Sequence, residues 1–436
     1  MKTLIIVGVG LAAATASAAK PIISQDDVKI SLTSNHRVQV DYKLTGAPAV
    51  VTVEFQTNTL ANGAGEWIRL SGELVQRVKG DVNRLVQPGD KSFLWDARHD
   101  WPSQYIGDGR LRATLTLWAS SAPPTYLVCG LTADKAGYVR YYAAKDYIPG
   151  GFGSDRYKTE FLLMRKIPAA GVVWLMGSRD GESSRTEDEE QRHNVMLTRD
   201  YYMAVYETTQ GQYKNLGKGL PGGIPDSDKA DDKPVTCLSY VDVRGSSYES
   251  ADVHAYCWPQ DGHDVGPNSI LGLLRQHVGL DDFDLPTEAE WEYACRAGES
   301  YMFYNGTSFE PRKIGWFKDD PSGDAVRSVG QKDANKWDLY DMQGNVSEPC
   351  LDHYMKGSDR AKTFAVGWER GVVTVDPKGA EAFMLNGSGK PMVVKRSGAY
   401  LWAWGYGRAS SSYASGDWSY PSVYGGFRLV RPAVAK

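Results

Sequence analysis

Cysteine, histidine and carboxylate side chains have the widest chemical repertoire in this sequence, so their types and spacing are weighed first. Thiolates bind soft metals or attack electrophiles, and imidazoles titrate near neutrality. Cys129, Cys237, Cys257, Cys295 and Cys350 include no Cys-x-x-Cys pair. His193, His254, His263, His277 and His353 are scattered, so no zinc spacing is visible. Asp352-His353 is the candidate acid–imidazole pair. No Ser-His-Asp order, phosphate loop or dinucleotide fingerprint occurs, and no catalytic residue is assigned. Because the 5 cysteines are an odd number, at least one thiol stays free or pairs between chains.

The remaining chemistry is recognition. Tyr400-Leu-Trp-Ala-Trp-Gly-Tyr406 and the stretch Ser410 to Tyr424 mix aromatic rings with Ser, Gly and Asp. Such mixtures make adaptable binding surfaces, since rings give contact area at small entropic cost and the polar residues supply hydrogen bonds. The candidate surface is Tyr400, Trp402, Trp404, Tyr406, Arg408, Tyr413, Trp418, Tyr420 and Tyr424. The competing reading makes Trp402, Trp404 and Trp418 core residues of a fold with little regular structure.

Two kinds of element must position these residues. From Val28 to Cys129 the chain alternates short β-branched stretches with Gly, Pro, Asn and Asp. Strands are expected at Val28 to Leu32, Val38 to Tyr42, Val50 to Phe55, Trp67 to Leu74, Arg84 to Val86, Phe93 to Asp96, Arg110 to Trp118 and Tyr126 to Cys129. That pattern predicts an all-β sandwich over 22–130, immunoglobulin-like or fibronectin-III-like in architecture. The Tyr- and Gly-rich stretch 131–159 reads as a linker or inter-domain seam. Strands follow at Phe161 to Ile167 and from His193, separated by a charged run, Arg179 to Arg192, that reads as a solvated loop. Thr208 or Thr209 caps a helix near Tyr213, and a further helix is expected at Ile270 to Val278. Leu285 to Gly298 starts a helix: Thr287 is the N-cap, Glu290 completes a capping box, and Trp291 and Cys295 share a face.

Leu285 to Gly298, LPTEAEWEYACRAG, and Asp341 to Glu348, DMQGNVSE, resemble signatures of the formylglycine-generating enzyme, or sulfatase-modifying factor, family. Val172 to Ser178, Tyr201 to Tyr213, Arg396 to Tyr400 and Gly425 to Arg428 add to the resemblance, which covers about 160–432. It implies an irregular α+β, C-type-lectin-like domain over 160–436. Val241 to Trp258 resembles a helix of the family, and Pro259 to Asp284, which follows it, is an insertion relative to the family. The resemblance also implies a structural calcium held by Asn345, the Val346 carbonyl and Glu348, an oxygen set suited to a hard cation. The alternative is a capped turn in which Asn345 bonds its own backbone. Asp338, Ser347 and Pro349 depart from the family's residues at this motif. Family enzymes bind copper(I) through two cysteines between the last two landmarks, but no cysteine follows Cys350, so neither copper nor formylglycine-generating activity is expected. Cys257 and Cys295 match the first partners of the family's two disulfides, whose second partners are missing.

Lys2, an apolar run from Leu4 to Ala14 and Ala16-Ser17-Ala18 read as a signal peptide over 1–18, and hence as export to a periplasm, cell surface or medium. No later run is long enough for a transmembrane segment. A net charge of −4 with a pI near 6.0 lacks the basic surface of a nucleic-acid binder. Three functions remain. The first is a non-catalytic surface protein that binds a protein or glycan partner through its lectin-like head. The second is a subunit of an extracellular filament or layer, with copies of itself as partners, and the third is an enzyme of the wider superfamily with other chemistry.

Overall fold

The computed structural model describes residues 20–435 apart from 36, 61–62, 103–108, 186–191, 246–264, 307–309, 319, 322–323, 355–371, 378–391 and 415–420. The expected signal peptide, Cys257, His254, His263, Trp418 and Tyr420 lie outside the described residues. The chain forms two units, Met1–Leu70 with Arg77–Ser120 and Ser71–Gln76 with Ser121–Lys436. No described helix is long and apolar enough to cross a membrane.

The first unit is all-β. Its strands are β1 (Lys29–Leu32), β2 (Val38–Leu44), β3 (Ala49–Asn58), β4 (Trp67–Arg69), β5 (Val78–Gly80), β6 (Arg84–Val86), β7 (Gly89–Trp95) and β8 (Leu111–Ala119). One sheet has the order β1-β2-β7-β5; in the other, β8 runs along β3, whose opposite edge is shared by β4 and β6. Val38, Val40, Tyr42 and Leu44 alternate inward along β2, the period-two pattern of a half-buried strand. Phe55 of β3 stacks on Trp95 of β7 with centroids 4.5 Å apart, so the two sheets share one core. β5 was not anticipated, because Val-Lys-Gly is too short to show a period.

The second unit is irregular α+β. Its strands are β9 (Tyr126–Gly130), β10 (Val139–Tyr142), β11 (Phe161–Ile167), β12 (Val173–Met176), β13 (His193–Met196), β14 (Tyr201–Ala204), β15 (Glu348–His353), β16 (Val373–Val375), β17 (Val393–Arg396), β18 (Tyr413–Ala414) and β19 (Val430–Pro432). They form a five-stranded sheet, β10-β9-β11-β14-β19, and two three-stranded sheets, β12-β13-β16 and β15-β17-β18. The stretch Tyr126 to Cys129, expected in the sandwich, pairs instead with β10 and β11. All five residues of β9 are buried, as a strand covered on both faces requires. The expected linker 131–159 is built into this unit as well: Tyr138, Tyr142, Tyr147 and Tyr157 pack with Phe161 and Val205 in one apolar cluster.

Two helices have the caps predicted for them, and a third has caps the sequence reading did not name. Thr209, rather than Thr208, caps Gln210–Asn215 in a capping box with Gln212. The helix Ile270–Val278 starts at Ser269 and ends on Gly279 in the left-handed conformation. In Glu288–Arg296, Thr287 accepts from Glu290 N at 3.2 Å, while the Glu290 carboxylate accepts from Thr287 N at 2.9 Å. Trp291 and Cys295 of this helix lie in the main core with Met203, Leu339 and Cys350. Of the stretch Val241 to Trp258, the helix Tyr240–Arg244 is observed, ending on Gly245 with a φ of 107°, and 246–258 lie outside the described residues.

Candidate functional site

The segment Asp341 to Glu348 is held by a buried polar hub. Glu207 accepts from Asn345 Nδ2 at 2.6 Å and from Val346 N at 3.1 Å. Asn345 Oδ1 accepts from Arg327 N at 3.0 Å. Glu348 accepts from Trp291 Nε1 at 2.6 Å and from the Arg428 guanidinium at 2.8 and 3.0 Å. Arg428 also donates to the carbonyls of Ala204, Val205 and Tyr340. Burial, then the nearby Asp341 and Glu348 charges, push Glu207 well above the usual carboxylate range. Burial also lifts Asp341 to about 6.

This arrangement does not fit a calcium ion held by Asn345, Val346 and Glu348. A calcium ion needs six or more converging oxygens. Here both Glu348 oxygens face donors of the protein, and Asn345 Oδ1 caps a backbone amide. Among the described residues no group of three His, Cys, Asp or Glu is placed to hold a metal ion. Nor does the expected self-capped turn describe Asn345, which bonds Glu207 and Arg327 across the chain. Two departures from the family motif are accommodated locally. Asp338 takes the left-handed φ of 58° and its carboxylate binds Tyr126 Oη at 2.6 Å and Lys145 Nζ at 2.9 Å. Ser347 is buried, with its hydroxyl donating to Tyr424 O at 3.1 Å.

Four described cysteines, Cys129, Cys237, Cys295 and Cys350, are free and buried. Burial pushes the Cys129 thiol up to about 12 and those of Cys295 and Cys350 further, which suits packing rather than nucleophilic or redox work. Asp352 accepts from Glu288 N at 2.6 Å, so its carboxylate serves the start of a helix.

The aromatic site is built on the loop between β17 and β18. The chain turns at Ser397 and Gly398, with φ of 78° and 76°; a Cβ on Gly398 would lie 2.9 Å from Gly407 N. Tyr400 then enters an apolar cluster with Val326 and Val346. Arg408 closes the loop from beneath, donating to Glu182 at 2.8 Å, Ser184 O at 2.6 Å and Gly405 O at 2.9 Å. Tyr400 and Arg408 are therefore buried parts of the scaffold and not of the surface, because each finds a core or ionic partner remote in sequence. Within the run Arg179 to Arg192, Asp180, Gly181, Ser183 and Ser184 are exposed as a solvated loop requires, but Glu182 departs from that reading, its side chain being pinned under the aromatic loop. Trp404 meets Phe303 at 6.0 Å and packs against the main core.

The residues brought together at the surface are Trp402, Tyr406, Tyr413 and Tyr424. Trp402 lies 5.7 Å from Tyr406, 4.7 Å from Tyr413 and 4.9 Å from Tyr424, centroid to centroid. Tyr406 is 54% exposed and the other three rings are half-buried. Tyr413 Oη donates to Arg396 O at 2.7 Å and accepts from Gly398 N at 3.1 Å, which fixes its ring against Trp402.

Sequence reasoning missed Lys395 and Glu207. Lys395 sits on β17 opposite Tyr413 of β18, with its Nζ 6.0 Å from the Tyr424 ring. The motif Val-Val-Lys-Arg gives no hint of this, because the rings that surround Lys395 come from 413 and 424. Glu207 was visible only as part of the Tyr201 to Tyr213 stretch.

Residues 164–433 match the sulfatase-modifying factor enzyme 1-like domain, FGE-sulfatase. The chain is 26% identical over 226 residues to a protein named Chaperone protein LppX from Paenibacillus barcinonensis, covering 45% of this chain and 79% of that one. It is 27% identical over 303 residues to the formylglycine-generating enzyme of Bos taurus, covering 62% and 73%. The structure of PvdO from Pseudomonas aeruginosa superposes with a TM-score of 0.48 at 21% identity, over 62% of this chain and 94% of that one. Treponema denticola variable protein 1 does so with a TM-score of 0.44 at 20% identity, over 62% and 95%. With 164–433 matched, well over half of its length, the chain belongs to the sulfatase-modifying factor enzyme 1-like family.

Proposed function

We propose that the second unit is a recognition domain that holds a protein or glycan partner on Trp402, Tyr406, Tyr413 and Tyr424. The observation that carries this reading is the mutual contact of four partly exposed rings, braced from below by Arg408 and Tyr413 Oη. Pre-positioned rings lose little freedom on binding, so most of their desolvation favours the complex. The signal-peptide pattern of residues 1–18 supports placing that partner outside the cell.

Replacing both Trp402 and Tyr406 by Ala tests this. The expected result is loss of binding on glycan and protein arrays with an unchanged circular dichroism spectrum and urea midpoint. Binding that survives the double substitution would overturn the reading. A second reading, an enzyme of the superfamily with chemistry other than formylglycine formation, is supported by the likeness to the Bos taurus enzyme over 62% of this chain. It is supported also by Lys395, whose amine burial pushes down to about 8, leaving a neutral fraction near pH 7. Turnover of an array ligand, followed by mass spectrometry, would select it.

A further inference from the structure

The buried cations of the second unit follow one rule. Arg244, Arg296, Arg396, Arg408, Arg428 and Arg431 are each no more than 5% exposed. Each has a carboxylate: Asp284, Glu292, Glu288, Glu182, Glu348 and Asp282 respectively, at 2.6–2.9 Å. This is the expected pattern, because a desolvated charge is costly unless an opposite charge answers it.

Lys395, at the edge of the same unit, has a different setting. It is partly exposed, and among the described residues neither a carboxylate nor a hydrogen-bond acceptor is paired with its Nζ. Strand alternation turns it away from Arg396, which faces Glu288 and Glu292. On its own side lie Tyr413 across the ladder and Tyr424, both in contact with Trp402. Gly425 keeps the space open, since a Cβ there would lie 3.3 Å from Nζ. Burial pushes the amine down to about 8.

We propose that Lys395 is the anion-recognising residue of the aromatic site and takes the carboxylate of an acidic sugar of the uronic-acid class. This rests on the recognition reading above and names its ligand. The sugar's C–H faces lie against Trp402 and Tyr406, and its carboxylate receives a charge-assisted hydrogen bond from Nζ. An acidic peptide fits less well. Peptides commonly bind by adding a strand to a sheet edge, and the edge offered here, β18, is two residues long.

The test is titration calorimetry with an oligogalacturonate, its carboxyl-reduced neutral counterpart and poly-glutamate, on the wild-type chain, Lys395→Gln and Lys395→Arg. The oligogalacturonate is expected to bind wild type at least about tenfold more tightly than its reduced form, the effect of one charge-assisted hydrogen bond. Lys395→Gln should lose that preference and Lys395→Arg keep it. A lysine needed only for packing would lower the urea midpoint when replaced, whereas removing an unanswered ammonium should leave it equal or higher. Equal binding of both saccharides, or no change in Lys395→Gln, would overturn the role of Lys395 and leave the aromatic recognition reading standing. Binding of poly-glutamate alone would overturn the sugar class, and no saccharide binding by wild type would overturn the proposal together with glycan recognition.

Discussion

Replacing Glu348 by Gln separates two accounts of the segment Asp341 to Glu348. Glu348 and Arg428 are both fully buried and share hydrogen bonds of 2.8 and 3.0 Å, with Trp291 Nε1 at 2.6 Å on the same carboxylate. Removing one partner of a buried ion pair costs about 3–5 kcal/mol, because the other charge is left unanswered. Glutamine keeps the shape and one acceptor oxygen, which places the loss near the lower end, about 3 kcal/mol. Against a total stability of about 5–15 kcal/mol this is a large fraction. With a urea m-value of about 3 kcal/mol/M, the midpoint falls by roughly 1 M. The assay is urea unfolding followed by tryptophan fluorescence, in calcium and in chelator. The expected fall is the same in both. A fall below roughly 0.3 M would refute the ion-pair reasoning, and a fall confined to calcium-containing buffer would restore the metal account.

Two further outcomes follow from the same geometry. Thr287→Ala removes one half of the capping box of Glu288–Arg296 and should lower stability by about 1 kcal/mol, read from the urea midpoint. Asp341 is raised from 3.8 to about 6 by burial, so the folded chain keeps a proton that the unfolded chain releases. Its contribution is full below pH 3.8 and is lost as pH rises to about 6. The stability difference between wild type and Asp341→Asn, measured at intervals from pH 4 to 7, should therefore fall and then level. A rise through that window would contradict the placement of Asp341.

Local rules made much of the fold legible. The Thr287–Glu290 capping box placed Glu288–Arg296, and short β-branched stretches bounded by turn residues placed β2 and β3, because these signals lie within a few residues. Partner choice was less legible. Tyr126 to Cys129 reads as a strand in any sheet, and its place in sequence put it with the sandwich; its actual partners, β10 and β11, lie in the stretch read as a linker and beyond it. The site suffered most from the same limit. Arg408 looked like a surface residue until Glu182, 226 positions earlier in sequence, was found beneath it. Lys395 looked ordinary for the converse reason, since what distinguishes it is that no carboxylate among the described residues is paired with it.

Arg428 and β19 also set the order in which the second unit can form. β14 pairs with β11 on one side but must wait for Val430–Pro432 on the other. Glu348 likewise has no counter-ion until residue 428 arrives. Contacts between segments more than two hundred residues apart carry a large loop-closure cost and form slowly. Nearly all of this unit precedes in sequence the segment that closes its central sheet and its ionic hub. The completed fold is therefore expected to appear in one late step, governed by the arrival of the C-terminal segment. Until then the β14 edge stays open to wrong partners, and chaperone protection would matter most at that stage.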